Sequence, residues 1–348
     1  MVDIYCNIPE VKKEIFNQFL YTKNKNFRDR LLELIGIKRM ISRPVMIVIE
    51  TINKCNNNCI ICGNQYCTRK KQIMSIDLFE KLLQDYVKMG GGYISLTPQV
   101  GEIFLDPFLQ QRLEKIKNYP EILGISVTTN AVLADKFDGQ NFKNIINSFM
   151  RIHISIYGLD ESEYSMMTRR NTYHRMVNSV RKIIEASETC NIAFGFRFIK
   201  THTQQEIENW MIQNFGKIIH YGWTNEYMNW GGGIKTDLIE LPSSAQWKSK
   251  CDRLKSACIF PFFVYRIFPD GNVSFCGCVD FNNAEEFALG DINKQTLLEI
   301  FNSEKNQKLW DFPHFIPVTC QNCTHYAPIS DYENLIDLFK SPLFAIGG

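Results

Sequence analysis

A strong net charge is missing from this chain of 348 residues: 39 Lys and Arg against 37 Asp and Glu leave a formal charge of +2. That balance argues against a polyanionic partner, so neither nucleic acid nor a membrane surface is expected. Long apolar runs are missing as well, and none approaches the length of a bilayer span. The opening Met1-Val-Asp-Ile-Tyr-Cys6 has neither the basic block nor the apolar block of a secretory leader, which points to a reducing cytoplasm. Disulfides are out of place in that compartment. Yet the chain holds 12 cysteines, and so many thiols need another use. The bulk composition, 45% hydrophobic and 22% charged, is that of an ordinary globular protein. Its length suits one large domain with a small appendage.

The densest thiol cluster is Cys55-Asn-Asn-Asn-Cys59-Ile-Ile-Cys62, directly after the apolar run Val45–Ile52. Thiolates are soft ligands suited to iron–sulfur clusters, zinc or copper(I). A cubane cluster normally takes four of them, so three at this spacing leave one iron open. Asparagine tolerates the backbone angles of a tight loop, which suits the linker between the first two. A structural zinc site would want four ligands in two knuckles, which this trio does not provide.

CxxxCxxC after a first strand resembles the signature of the radical S-adenosylmethionine (SAM) superfamily. The resemblance implies a [4Fe–4S] cluster held by Cys55, Cys59 and Cys62, whose open iron chelates the amino and carboxylate groups of SAM. One electron then cleaves SAM to methionine and a 5′-deoxyadenosyl radical, which takes a hydrogen atom from substrate, while the protein positions the reactants. A reductase such as flavodoxin or ferredoxin is the implied electron donor. Ile61 stands where the family often has an aromatic residue and is expected to meet the adenine through its backbone.

Residues 1–44 read as basic amphipathic helix, either a cap on one barrel end or a lid. From 45 to 235 strands and helices alternate. The expected strands are Val45–Ile52, Tyr93–Thr97, Ile122–Thr129, Arg151–Tyr157, Ile192–Ile199 and Ile218–Tyr227. The expected helices are Ile76–Met89 with Ser75 as cap, Pro107–Lys117, Asn141–Ser148, Thr172–Ala186 and Gln204–Phe215. Six such repeats make an α/β fold, a partial (β/α)6 TIM-like barrel, whose site lies at the C-terminal strand ends.

Those strand ends resemble further family elements. Gly101-Glu102 is similar to the Gly-Gly-Glu-Pro element, with Val100 and Ile103 replacing its first glycine and proline, so Glu102 is implied to bind the SAM ammonium. Thr129-Asn130 resembles a Thr-Asn-Gly element. Ser155 lies in a segment like Ser-Ile-Asp-Gly and is implied to meet ribose or carboxylate, with Tyr157 in place of the usual aspartate. Arg169, followed by Arg170, stands where relatives place an arginine on the SAM carboxylate; solvated charges are the plainer alternative. Arg197, inside the apolar strand Phe194-Gly-Phe-Arg-Phe-Ile199, needs an anion, from the protein or from a ligand. Tyr227-Met-Asn-Trp-Gly-Gly-Gly233 is either a close approach to ligand or a hinge.

After a polar connector (236–257), Cys258, Gly271, Cys276 and Cys320-Gln-Asn-Cys323 surround a hairpin with a Pro-Asp-Gly turn. On spacing alone a zinc ribbon is an alternative. The layout is similar to the SPASM auxiliary-cluster domain in its short "twitch" form, a small β-hairpin/α unit over 258–325 followed by a tail (326–348). It implies a second [4Fe–4S] cluster closed by Cys258, Cys276, Cys320 and Cys323. Cys278 is an alternative ligand to Cys276, or, like Cys67, a thiol able to donate a hydrogen atom. Cys6, Cys190 and Cys251 read as packed small hydrophobes. The leading expectation is dehydrogenation or epimerisation of a small polar molecule such as a sugar or aminocyclitol. Alternatives are a maturase acting on a ribosomally made precursor peptide, and a non-catalytic iron–sulfur or zinc protein.

Overall fold

The computed structural model describes residues 46–242, 244–249, 258, 260–309 and 315–328. The expected N-terminal cap, most of the far end of the connector, most of the tail, Cys6 and Cys251 lie outside the described residues.

Each repeat begins with a strand whose alternate residues face a layer of helices. The strands β1 (Met46–Ile49), β2 (Gly92–Ser95), β3 (Ile122–Thr129), β4 (Arg151–Ile156), β5 (Asn191–Arg197) and β6 (Tyr221–Thr224) pair in sequence order, all parallel. Between them run α1 (Ile76–Lys88), α2 (Leu109–Ile116), α3 (Gly139–Asn147), α4 (Glu161–Thr168), α5 (Tyr173–Ala186) and α6 (Gln204–Phe215). Ser75 Oγ accepts from the Leu78 amide at 3.2 Å, so α1 starts where its capping residue predicts. Its face Phe79, Leu82, Leu83 and Tyr86 is buried. Thr203 and Glu206 close a reciprocal capping box at the start of α6. The helix stops at Gly216, whose φ of 71° a glycine adopts without strain.

Period-two alternation then decides what each strand shows to each side. Ile152, Ile154 and Ile156 on β4 are fully buried in the main core, as are Phe194 and Phe196 on β5. Phe196 packs edge-on to Trp210 at 5.7 Å and Phe194 to Phe215 at 5.5 Å, which places this set under α6. Each such side chain contributes about 1.5–3 kcal/mol of burial.

Two departures from the sequence-based expectation matter for the site. The hairpin β7 (Val264–Ile267) and β8 (Asn272–Ser274), with β9 (Ala288–Asp291), is not a separate sheet. β7 pairs with β1 in parallel, Val48 opposite Arg266, so these nine strands form one sheet in the order β9-β8-β7-β1-β2-β3-β4-β5-β6, and Glu226–Tyr227 pairs with Gln246–Trp247 in a separate two-stranded ribbon. The β4–β5 crossover also contains an unexpected helix, α4. Its buried positions include Glu163, so no apolar period announces it, although Asp160 caps it at 2.7 Å from the Glu163 amide. No helix among the described residues is long and apolar enough to cross a membrane.

Candidate functional site

The strand face turned away from the helices is polar. Register pairs Ser95 with Ser126, Ser126 with Arg151, Thr128 with His153, and Ser155 with Gly195. Thr97 lies two residues beyond Ser95, its hydroxyl accepting from Ser95 Oγ and from the Thr128 amide, both at 2.9 Å. At the strand ends Arg197 donates to Ser155 Oγ at 2.8 Å and lies 5.7 Å from the Tyr157 ring centroid. His153, 5% exposed, has no hydrogen-bond partner on either ring nitrogen. Burial, then the charges of Arg197 and Arg151, hold its pKa well below the ordinary range, so the ring is neutral. A Cβ on Gly195 would overlap that ring, so glycine is what leaves room for it.

The loop after β1 gathers Cys55, Cys59 and Cys62. It is pinned by the Asn58 and Ile60 amides on the carbonyls of Thr168 and Met167, at 3.1 and 2.9 Å. Gln65 donates to the Cys59 and Ile60 carbonyls at 2.7 and 3.2 Å. Backbone amides two residues on point at sulfur: Asn57 to Cys55 and Asn64 to Cys62, both at 3.4 Å. Burial pushes the Cys55 thiol up to about 12, with the Glu102 charge adding to it. Cys59 is pushed well up by burial and by the other two thiols, and the Tyr157 hydroxyl bonds its sulfur.

Glu102, 1% exposed, accepts from Thr129 Oγ1, from the Asn130 amide at 2.8 Å and from the Phe104 amide at 3.3 Å. Burial raises its pKa against those bonds. Asn130 Nδ2 reaches Asn56 Oδ1 at 3.1 Å and Cys55 sulfur at 3.8 Å. Three separate strand ends therefore meet at the cysteine loop. The Ile61 carbonyl accepts from Trp230 Nε1 at 2.9 Å. Arg169 stands apart from Ser155: its side chain is exposed and donates to Gln65 Oε1 at 2.6 Å. Arg170 is exposed too and holds the Asn56 carbonyl at 2.9 Å.

Cys258, Cys276, Cys278, Cys320 and Cys323 form the second gathering. Burial raises every one of these thiols, and Cys276 and Cys258 add to the rise at Cys278, Cys320 and Cys323. At Cys276 the backbone amides of Val279, Cys278 and Asp280 work against that burial, and Cys323 sulfur takes the His325 amide at 3.3 Å. The glycine loop turns out to be a joint. A Cβ on Gly231 would overlap Thr319 and one on Gly233 would press on Phe281, while Asn229 exchanges hydrogen bonds with Thr324. It therefore docks the segment carrying Cys320 and Cys323. Cys67 donates to the Phe281 carbonyl at 3.6 Å and packs with Cys62 beside Trp230. Cys190 is a buried packing residue, as expected.

Sequence reasoning missed the charged junction between the two gatherings. Glu50 accepts from Arg69 Nη2 at 2.6 Å and from the Gln99 and Val100 amides at 2.9 and 3.1 Å. Arg69 also donates to the Phe281 carbonyl at 2.7 Å, and Gln99 Nε2 to the Cys278 carbonyl. Arg266 lies behind them. Its position inside an apolar strand is the same signal that singled out Arg197.

Buried soft donors with amide hydrogens on sulfur suit an iron–sulfur cluster, whose potential such bonds tune. A family model described as the Radical SAM superfamily matches residues 49–211, and one described as an iron–sulfur cluster-binding domain, SPASM, matches 258–324. Among curated proteins, GTP 3′,8-cyclase of Petrotoga mobilis is 23% identical over 186 residues, covering 53% of this chain and 55% of that protein. GTP 3′,8-cyclase of Clostridium perfringens is 27% identical over 142 residues, 39% of this chain and 42% of that protein. The chain thus spans about half the length of the curated relatives it matches.

Among solved structures, BtrN in complex with AdoMet and 2-DOIA is 17% identical, covering 83% of this chain and 97% of that one with a TM-score of 0.54. Streptococcus suis SuiB bound to precursor peptide SuiA is 14% identical, covering 92% and 79% with a TM-score of 0.61. These likenesses show the partial barrel fold. The two matched domains bring a SAM-binding [4Fe–4S] cluster and an auxiliary cluster as cofactors. The chain carries a radical SAM domain over residues 49–211 and a C-terminal SPASM domain over residues 258–324.

Proposed function

We propose that this radical SAM enzyme dehydrogenates or epimerises an unactivated C–H of a small polar metabolite, of sugar or aminocyclitol type. The observation that carries the reading is the polar inner face: Ser95, Thr97, Ser126, Thr128 and neutral His153 offer hydrogen bonds at barrel depth. A hydroxyl-bearing substrate could satisfy the two unpaired ring nitrogens of His153, whereas an apolar one would leave them unpaired.

In this reading Cys55, Cys59 and Cys62 hold the first cluster, and Cys258, Cys276, Cys320 and Cys323 the second. Cys276 is preferred to Cys278 because the neighbouring backbone amides of Val279, Cys278 and Asp280 favour its thiolate. Glu102 would balance the SAM ammonium, with Asn130 locking the loop beside it. Arg197, rather than the exposed Arg169, would take the SAM carboxylate together with Ser155. Once loaded and reduced, the cofactors supply a 5′-deoxyadenosyl radical. Four thiolates from Cys258, Cys276, Cys320 and Cys323 would leave the auxiliary cluster no open position, which suits electron acceptance and hence dehydrogenation. Epimerisation would instead require a thiol hydrogen, from Cys278 or Cys67. A one-electron donor such as flavodoxin or ferredoxin completes the system.

Gly101 gives a direct test of the SAM pocket. A Cβ there would overlap the Ile52 carbonyl oxygen and press on Pro98. Gly101→Ala is expected to cost about 1–3 kcal/mol of overpacking and to weaken SAM binding in equilibrium dialysis; unchanged binding would detach this loop from SAM.

A precursor peptide is the second reading, since among the described residues β6 pairs only with β5 and leaves Trp223 half-exposed at the sheet edge. Deuterium transfer separates the two. Site-labelled sugars and aminocyclitols should pass label into 5′-deoxyadenosine. Transfer only from a labelled peptide would overturn the small-molecule reading.

A further inference from the structure

Arg266 sits in Val264-Tyr265-Arg266-Ile267 and is 0% exposed. A guanidinium buried this fully costs several kcal/mol unless an anion faces it. No acid among the described residues forms an ion pair with it. The acid whose charge bears on it, Glu50, has already given its carboxylate to Arg69 and two amides. Arg266 Nη1 reaches the Thr97 carbonyl at 3.4 Å, Nη2 reaches the Gly277 carbonyl at 2.5 Å, and Nε has no partner. Gly277 lies between Cys276 and Cys278, whose thiolate forms are the other negative groups that bear on the guanidinium.

We propose that Arg266 is the built-in counter-charge of the auxiliary cluster and holds its reduction potential up. The inference rests on Cys258, Cys276, Cys320 and Cys323 being that cluster's ligands. A cubane with four thiolates is an anion, and one-electron reduction adds a further negative charge. A fixed cation in a dry setting favours the reduced form, net charge and hydrogen bonding being main determinants of cluster potential. The two carbonyl bonds keep the charge fixed: one belongs to the ligand loop, the other to the barrel wall at Thr97. Arg266 is therefore a positioning residue, acting through the cluster rather than on substrate.

The experiment is a potentiometric titration of the anaerobic holoenzyme, followed by electron paramagnetic resonance, for wild type, Arg266→Met and Arg266→Lys. In Arg266→Met the reduced-to-oxidised ratio of the auxiliary cluster at a fixed potential should fall at least tenfold, a drop of about 59 mV. The primary cluster should not move, and Arg266→Lys should stay near wild type. An auxiliary midpoint unchanged in Arg266→Met overturns the proposal. Loss of auxiliary iron from Arg266→Met but not from Arg266→Lys supports it, because only the charge differs in kind. Loss from both variants assigns Arg266 to packing and overturns it. A wild-type protein showing a single cluster signal would overturn the ligand assignment beneath it.

Discussion

Cys59→Ala should make no 5′-deoxyadenosine above the no-enzyme background when incubated anaerobically with SAM and dithionite, while keeping the auxiliary cluster. Of the first three thiols it is the one most tightly built in. It is buried, the carbonyl of its residue is held by Gln65, and its sulfur takes the Tyr157 hydroxyl. Removing it leaves two thiolates, too few to keep a cubane whose other corner must stay open to SAM. Cys55→Ala and Cys62→Ala should behave alike, since the Asn57 and Asn64 amides position those sulfurs for the same cluster. The second gathering is pinned elsewhere, through the Gly231 joint and the Asn229–Thr324 bonds, so its iron should survive. Persistent SAM cleavage in Cys59→Ala would sink the assignment. A wild-type protein that makes no 5′-deoxyadenosine at all would favour a carrier role.

The parts of this site that were legible in the sequence are those set by local spacing. CxxxCxxC places three thiols on one loop whatever lies around it, and Ser155 was marked by its strand-end segment. The bounds of β3 and α6 agree with the expectation because each ends on strong local chemistry: Asn130 after the strand, and the capping box with Gly216 on the helix. What failed to show was everything settled by pairing across the chain. Arg169 is the arginine expected on the SAM carboxylate and Arg197 one that needs an anion of unspecified source; only the β4–β5 register, which sets Ser155 against Gly195, brings Arg197 to the serine. The helix α4 was invisible because it buries Glu163, whose carboxylate serves the Ile199 and Lys200 amides and His202, instead of an apolar stripe. The hairpin was expected as a unit of its own. Its first strand instead completes the barrel sheet, since β1 offers a free parallel edge that no local signal reveals.

That shared edge makes Glu50 the residue on which the union of barrel and auxiliary segment should depend, and Glu50→Leu should destabilise the anaerobic holoprotein by about 3–5 kcal/mol, the cost of orphaning a buried charge. Glu50 is 0% exposed and binds three donors: Arg69, and the amides of Gln99 and Val100 that lead into Gly101-Glu102. Leucine fills the volume but strands the Arg69 guanidinium, which is stacked on Phe268 at 4.2 Å and cannot turn to water without releasing the Phe281 carbonyl. It also removes the carboxylate from beside Arg266. Glu50→Gln retains an acceptor for the amides and should cost less, because only the charge term is lost. Adding Arg69→Met to Glu50→Leu should recover part of the deficit, since the stranded cation leaves with its partner; urea unfolding of the four proteins in the cycle measures the coupling. If Glu50→Leu unfolds within about 0.5 kcal/mol of wild type, the range of an ordinary surface change, the junction is not held by this network. The auxiliary segment would then be docked by the strand pairing and the glycine joint alone.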